Sequence, residues 1–399
     1  MQIKVENDFF SSFYLNKKHK QLICSDPKIA FIQYKDFQID LLSGERKKNN
    51  LELFKEQIQK IQISQKFEKP IVLHLFYEFG FSCVELDELI DKNKPLAIYI
   101  EYGEATEEPI YRVEYKEKFT FEPLSLPSFD EYNQKFQKTY KSLIDGECYQ
   151  LNLTMPFFLR SKNKISANEY INKLWSEPLN VGAYAHATYI DSLGKLFISN
   201  SPECLFQIES ADDLRIKSMP IKGTIAVNNY SEREEAWSKL TESKKDEAEL
   251  YMITDLMRND LTKLSGEVSD VTHKKKALNV PGLIHQFSVV ETKLNPETNV
   301  LDILTNLFPG GSITGAPKKN VMKLISEIER YDRGFYCGST ILLYQNSRTA
   351  SINIRSAEVD FIQDEIKYGA GGGVTLLSQA REEYDEALAK LKSFLLLLN

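Results

Sequence analysis

The sequence predicts an α+β fold built on antiparallel sheets. Two observations predict it. The β-rich segments arrive in hairpin-like groups separated by polar turns, and no glycine-rich phosphate loop follows a strand. The second point argues against a Rossmann-type parallel sheet.

The first 118 residues read mostly as short strands. Ile29–Tyr34, Ile71–Phe76 and Leu96–Ile100 are rich in β-branched and aromatic residues, with a helical stretch from Leu51 to Ile63 between the first two. Pro123-Leu-Ser-Leu-Pro-Ser-Phe129 is the best candidate linker. The chain therefore divides into a β-rich N-terminal subdomain of the same fold, 1–118, and a region 119–399 that carries the chemistry. A helix follows the linker, with Tyr132, Phe136, Tyr140 and Ile144 at helical spacing, ending near Gly146. Val181–Tyr189, Lys195–Ser199 and Cys204–Glu209 are predicted strands, and Ser231–Met257 one helix. Phe335–Leu343, Ala350–Ile354 and Ala357–Tyr368 are again strands. A last helix runs from about Gln379 to the end, where Phe394–Leu398 closes a packed face.

Composition removes several classes. Lys+Arg is 50 against Asp+Glu 57, a net charge of −7, which opposes general nucleic-acid binding. No apolar run is long enough to span a membrane, and the N-terminus has no signal-peptide core, so a cytoplasmic protein is expected. Five cysteines without a CxxC pair read as reduced thiols.

Two helices place carboxylates beside apolar faces. Advancing roughly 100° per residue, Leu250, Ile253, Leu256 and Met257 form a stripe that contains Asp246 and Glu249. A carboxylate there is costly unless paired, protonated or metal-bound. Asp246 is also compatible with capping behind Ser243, and Glu249 with a structural salt bridge. In the last helix Tyr384, Leu388, Leu391, Leu395 and Leu398 form the stripe. Glu383, Glu386 and Lys390 border it, an arrangement that also fits a solvated flank with an i,i+4 ion pair. Converging, the four acids are hard oxygen donors suited to Mg²⁺.

Three further motifs carry chemistry. Pro220-Ile-Lys-Gly-Thr224 holds Lys222 in constrained backbone beside apolar groups, where an amine can serve as a nucleophile; a surface turn is the plainer reading. Phe308-Pro-Gly-Gly-Ser-Ile-Thr-Gly-Ala-Pro-Lys318 reads as a backbone-donor loop running into a helix, suited to an anion, and Tyr368-Gly-Ala-Gly-Gly-Gly373 as a second such loop. Asp255-Leu-Met-Arg-Asn-Asp260 is expected to close the first acidic helix with capping residues.

Taken together these stretches resemble the chorismate-utilising enzymes. The resemblance is carried by Ser201-Pro-Glu203, Pro220–Thr224, Glu249 with Asp255–Asp260, Phe308–Lys318, Arg355, Gly369-Ala-Gly371 and Glu383-Tyr-x-Glu386, in family order from about residue 120 onward. It implies a large antiparallel, β-sandwich-like core with helices packed outside. The Pro-Ile-Lys-Gly-Thr form resembles the aminodeoxychorismate synthase component I branch; the anthranilate enzymes usually carry Ala at the Lys position. By that resemblance the catalytic residues are Lys222, Glu203 and His285, with Lys222 forming an adduct at ring carbon 2 of chorismate. Tyr336, Arg355, Gly369, Ala370, Gly371, Lys390, Thr224, Thr314 and Gly315 bind substrate. Glu249 and Glu386 hold Mg²⁺, with Asp246 and Glu383 acting mainly through water. The implied product is 4-amino-4-deoxychorismate for para-aminobenzoate and folate synthesis, made with ammonia from a separate glutamine amidotransferase subunit. Isochorismate or salicylate formation, with Lys222 activating water, and anthranilate formation stay open as alternatives. The sequence departs from the family at Asp246, usually Glu, at Leu250, often His, and at Ile225-Ala-Val and Leu376–Ala380.

Overall fold

The computed structural model describes residues 9–15, 20–110, 118–177, 181–227, 232–280 and 283–398. The N-terminal third supplies β1 (Phe9–Leu15), β2 (Lys20–Gln33), β3 (Phe37–Asp40), β4 (Arg46–Lys48), α1 (Leu51–Gln59), β5 (Phe67–Leu75), α2 (Phe79–Cys83) and β6 (Ala97–Pro109). Next come β7 (Phe121–Ser125), α3 (Phe129–Ile144), β8 (Gln150–Ser161), α4 (Ala167–Trp175), β9 (His186–Ile190), β10 (Lys195–Ser199), β11 (Cys204–Ile208), β12 (Arg215–Met219) and β13 (Ile221–Ala226). The last part holds α5 (Arg233–Glu242), α6 (Lys244–Ser265), β14 (Asp270–Val280), β15 (Leu283–Lys293), α7 (Val300–Leu307), β16 (Gly315–Ala316) and α8 (Lys318–Glu329). It ends with β17 (Ser339–Gln345), β18 (Ser347–Ile352), β19 (Ser356–Asp360), β20 (Glu365–Val374) and α9 (Ala380–Leu398).

Among the described residues every strand pairing is antiparallel. Neighbours run β7-β8-β20-β19-β10-β9-β1-β2 and continue β2-β6-β5-β17-β18-β11-β12-β15-β14. Strand twist curls so long a sheet, and its distant parts meet. Lys222 on β13 approaches Gly373 on β20 so closely that a Cβ on residue 373 would lie 3.0 Å from Lys222 Nζ. Strands of the N-terminal third sit in the middle of this sheet: β5 pairs with β17 and β1 with β9.

A large apolar core joins the sheet to its helices. A second cluster, including Phe13, Val72, Ile98, Phe197 and Phe335, fills the other side. The helix α9 seals onto β20 through Phe394, whose ring stacks on Tyr368 with centroids 4.6 Å apart. Tyr384 on the same helix packs on Tyr132 of α3.

Several expected elements differ. The proposed linker is partly strand: β7 pairs with β8 at the sheet edge, where Pro123 is tolerated because no ladder bond is needed on its outer side. The single helix expected over 231–257 is two, because Ser243 takes extended backbone and its hydroxyl accepts from the Asp246 amide. Asp255–Asp260 lies inside α6, which ends only at Ser265 before Gly266 in left-handed conformation. The strand expected from Val181 starts at His186, and Ala357–Tyr368 spans a hairpin.

Candidate functional site

One cavity of about 190 Å³ lies where the two sheet regions face each other. It is small enough for a single ring-sized ligand. Among the predicted residues it is lined by Lys222, Glu203, His285, Tyr336, Arg355, Gly369, Ala370, Gly371, Lys390, Asp246, Glu249, Glu383 and Glu386.

Lys222 and Glu203 share one end. Pro220 breaks the strand between β12 and β13, and the ladder with β15 shifts register between Lys222 and Thr224. Gly223 makes the bulge possible: its φ is +76°, and a Cβ would lie 2.8 Å from Leu240 and 3.1 Å from Asp246 Cβ. Lys222 Nζ points to the Ser312 carbonyl at 3.4 Å. The Ser-Pro-Glu motif has an equally local cause. Ser201 Oγ donates to the Ile352 carbonyl at 2.5 Å and accepts from the Glu203 amide at 3.1 Å, which fixes the Glu203 backbone. The Glu203 side chain is buried, and its Oε1 has no hydrogen-bond partner. Burial lifts its pKa from 4.5 to about 7, against the opposing pull of Ser312, the Lys222 charge and the Ile221 amide. That carboxyl holds a proton near neutral pH.

The other end is a recognition surface. Arg355 has φ +52° and donates from Nη2 to His285 Nε2 at 2.8 Å. His285 is buried and its pKa lies well below the ordinary value, first through burial and then through the Arg355 charge. The ring is therefore neutral, and its accepting nitrogen orients the guanidinium. No carboxylate pairs with Arg355 among the described residues. The glycine run is strand rather than loop. Beyond Tyr368 the edge of β20 opposite β8 has no strand partner among the described residues, so backbone groups from Gly369 to Gly373 face the cavity. Tyr336 lies flat on this edge: a Cβ on Gly369 would fall 2.1 Å from its ring.

All four acids line the cavity, Asp246 and Glu249 from α6 and Glu383 and Glu386 from α9. Glu249 is buried and Asp246 half-buried. On α9 the buried face contains Glu383 itself, with Ala387, Leu391, Phe394 and Leu398. Glu383 tolerates this because Ser378 Oγ donates to it at 2.7 Å. Glu386 pairs with Lys390 at 2.8 Å, and Lys390 also donates to the Gly371 carbonyl at 2.6 Å. Among the described residues no three His, Cys, Asp or Glu side chains form a group that could hold a metal by themselves. Mg²⁺ takes few carboxylates and completes its shell with water and substrate oxygens, so this all-oxygen donor set fits it.

Two predicted residues, Thr314 and Gly315, do not line the cavity. Thr314 Oγ1 donates to the Gly310 carbonyl, and Gly315 sits at φ +139° with a would-be Cβ 2.0 Å from the Gln150 carbonyl. Both serve the backbone of the loop, which enters the cavity through Ser312 and Ile313 instead. Thr224 pairs with His285 in the ladder, and its side chain lies outside the described residues. Lys318 at the head of α8 is tied to Asp260 at 2.9 Å and to two carbonyls, so it stabilises the loop from behind. Asn152, Ser312 and Tyr368 line the cavity without having been predicted. For Asn152 a signal existed: Gln150, Asn152 and Thr154 alternate along a strand that is otherwise apolar.

A model of the chorismate binding enzymes matches residues 45–396. The aminodeoxychorismate synthase component 1 of Salmonella typhimurium is 35% identical over 66% of this chain and 57% of its own length. This chain thus spans under three fifths of that relative. A Haemophilus influenzae protein described as an uncharacterized PabA-like protein is 30% identical over 75% of this chain and 89% of its own. The crystal structure of anthranilate synthase component I from Streptococcus pneumoniae superposes with a TM-score of 0.75 at 20% identity, covering 94% of this chain and 92% of the other.

Proposed function

This chain belongs to the chorismate binding enzymes, and within that family we propose that it aminates chorismate at ring carbon 4 to give 4-amino-4-deoxychorismate. The observation that carries this reading is Lys222 beside a Glu203 carboxyl whose proton is retained to about pH 7. The name of the Salmonella relative supports the same outcome.

The neutral Lys222 Nζ bonds to ring carbon 2, both ring double bonds shift by one position, and the bond from carbon 4 to oxygen breaks. Glu203 donates its proton, so the oxygen departs as water. The nitrogen of ammonia then bonds to carbon 4 and both double bonds return. The bond from carbon 2 to Nζ breaks with its electron pair going back to Lys222, and the new ammonium at carbon 4 gives up the proton that restores Glu203. Arg355, oriented by His285, takes the enolpyruvyl carboxylate as a fork, with Tyr336 and the Gly369–Gly371 edge beside it. Glu249 and Glu386 would hold Mg²⁺, with Asp246 and Glu383 adjacent and Lys390 keeping Glu386 in place. Bound there, the ion would offset the charge of the ring carboxylate. Ammonia would come from a glutaminase partner.

Incubating the chain with chorismate, Mg²⁺ and an ammonium salt, and resolving products by mass, tests the proposal. The amine product is expected. Isochorismate, salicylate or anthranilate as the only new species would overturn it.

A further inference from the structure

Between Asn152 and Phe157 the outer edge of β8 has no strand partner among the described residues: β16 pairs with Gln150 and Leu151, and β7 with Phe158 and beyond. An open edge inside a protein leaves backbone donors and acceptors to be satisfied. Here two side chains close it. Thr154 donates its amide to Glu329 Oε1 at 2.7 Å, and its hydroxyl donates to the same oxygen at 3.0 Å. The Asn152 carbonyl accepts from Arg333 Nη2 at 2.7 Å. Glu329, the last residue of α8, and Arg333 are both buried, and they are joined as a fork: Nε donates to Oε2 at 2.9 Å and Nη2 to Oε1 at 2.8 Å. Arg333 Nη1 donates to the Ile313 carbonyl at 2.7 Å, and the guanidinium lies 4.5 Å from the centroid of the Tyr77 ring.

A buried ion pair often stabilises a fold no better than apolar side chains of the same volume. Apolar side chains, however, cannot finish a backbone ladder, and this ladder stands behind the recognition wall. Thr154 pairs with Gly371 and Asn152 with Gly373 across β8 and β20, and Ile313 lines the cavity from its own loop. Arg333 also lies three residues before Tyr336, whose ring rests against Gly369. One ion pair thus ties together the strand behind the glycine edge, the Ile313 loop and the turn that delivers Tyr336. Neither of its members lines the cavity. We propose that Glu329 and Arg333 are positioning residues for chorismate recognition, holding the glycine edge and Tyr336 at the spacing a substrate carboxylate requires while touching no substrate atom. The inference rests on the reading that chorismate occupies this cavity.

The test is steady-state kinetics of the whole chain with chorismate, Mg²⁺ and an ammonium salt, comparing the parent with Arg333→Lys. Lysine keeps the charge but cannot reproduce a planar fork that serves a carboxylate and two carbonyls at once. The KM for chorismate should rise roughly tenfold, the worth of one hydrogen bond's alignment, with kcat held within about threefold. That split separates positioning from bulk stability. An unfolded fraction lowers the apparent kcat and leaves KM alone, because the molecules that stay folded bind as before. An unchanged KM in the folded variant therefore overturns the proposal, whatever kcat does. Should Arg333→Lys fail to fold, Glu329→Gln keeps an oxygen for the Thr154 amide and removes the charge that holds Arg333. A KM rise of roughly threefold is then expected, and an unchanged KM overturns the proposal equally. Failure of the cavity reading is seen separately, as a parent that consumes no chorismate.

Discussion

Of the three cations that line the cavity, Lys390 is tied to Glu386, and the other two, Lys222 and Arg355, sit at different ends in different company. Lys222 shares its end with Glu203, a buried carboxyl that retains its proton to about pH 7. Arg355 is held by a histidine that burial keeps neutral. A cation beside a proton donor can form and break bonds. A cation beside a neutral acceptor keeps its charge for an anion and has no proton partner. The contrast separates chemistry from recognition within one small volume. The sequence carries it too, since Lys222 lies in a strained Pro-Ile-Lys-Gly bulge and Arg355 between two strands.

Substituting each end should break the contrast in opposite ways. Lys222→Ala should lower kcat by roughly 10³-fold or more, as removal of a nucleophile does, and should abolish any adduct seen in intact mass. Chorismate affinity measured by calorimetry should fall little. A variant that still turns over at near parental rate would remove the nucleophile from Lys222.

Glu203→Gln comes next. Loss of a general acid should cost about 10²-fold in kcat, and the parental rate should decline as pH rises through about 7, where the carboxyl loses its proton. Stability should follow the same group. The pKa is raised from 4.5 to about 7 on folding, so its stabilising contribution is fully present below 4.5 and is lost as pH rises through 7. That swing is about 3 kcal/mol at 1.36 kcal/mol per pKa unit. Denaturant unfolding from pH 4.5 to 8 should show the decline in the parent and a flatter profile in Glu203→Gln. Parallel profiles would mean that Glu203 does not titrate as its burial dictates.

How much of this was legible differs between elements for physical reasons. Helical period exposed the inward acids of α6, because a carboxylate among Leu250, Ile253 and Met257 has a visible cost. The same reasoning misplaced the stripe of α9, because Ser378 compensates Glu383 from outside the helix and no periodicity reports that. Glycines were visible as glycines, but not their purpose. Gly369 and Gly373 open the cavity wall, whereas Gly315 only lets two backbones touch. The meeting of β13 with β20 was beyond reach, since it follows from the curl of a sheet whose neighbours are far apart in sequence. Which residues of the Phe308–Lys318 loop enter the cavity was hidden for that reason.

Arg355→Lys offers the smallest effect and the sharpest reading of the recognition end. Lysine keeps the charge but presents one point in place of a fork, and it cannot reach His285 with the same geometry. The KM for chorismate should rise roughly tenfold, the worth of one charge-assisted hydrogen bond, with kcat changed far less. Because His285 stays neutral, its pKa well below the ordinary value, this KM should be level across pH 6 to 8 in the parent, in contrast to the falling kcat set by Glu203. A kcat loss without a KM change would show Arg355 acting on the reacting centre. The division between the two cations would then fail, and the cavity would have to be treated as a single charged network.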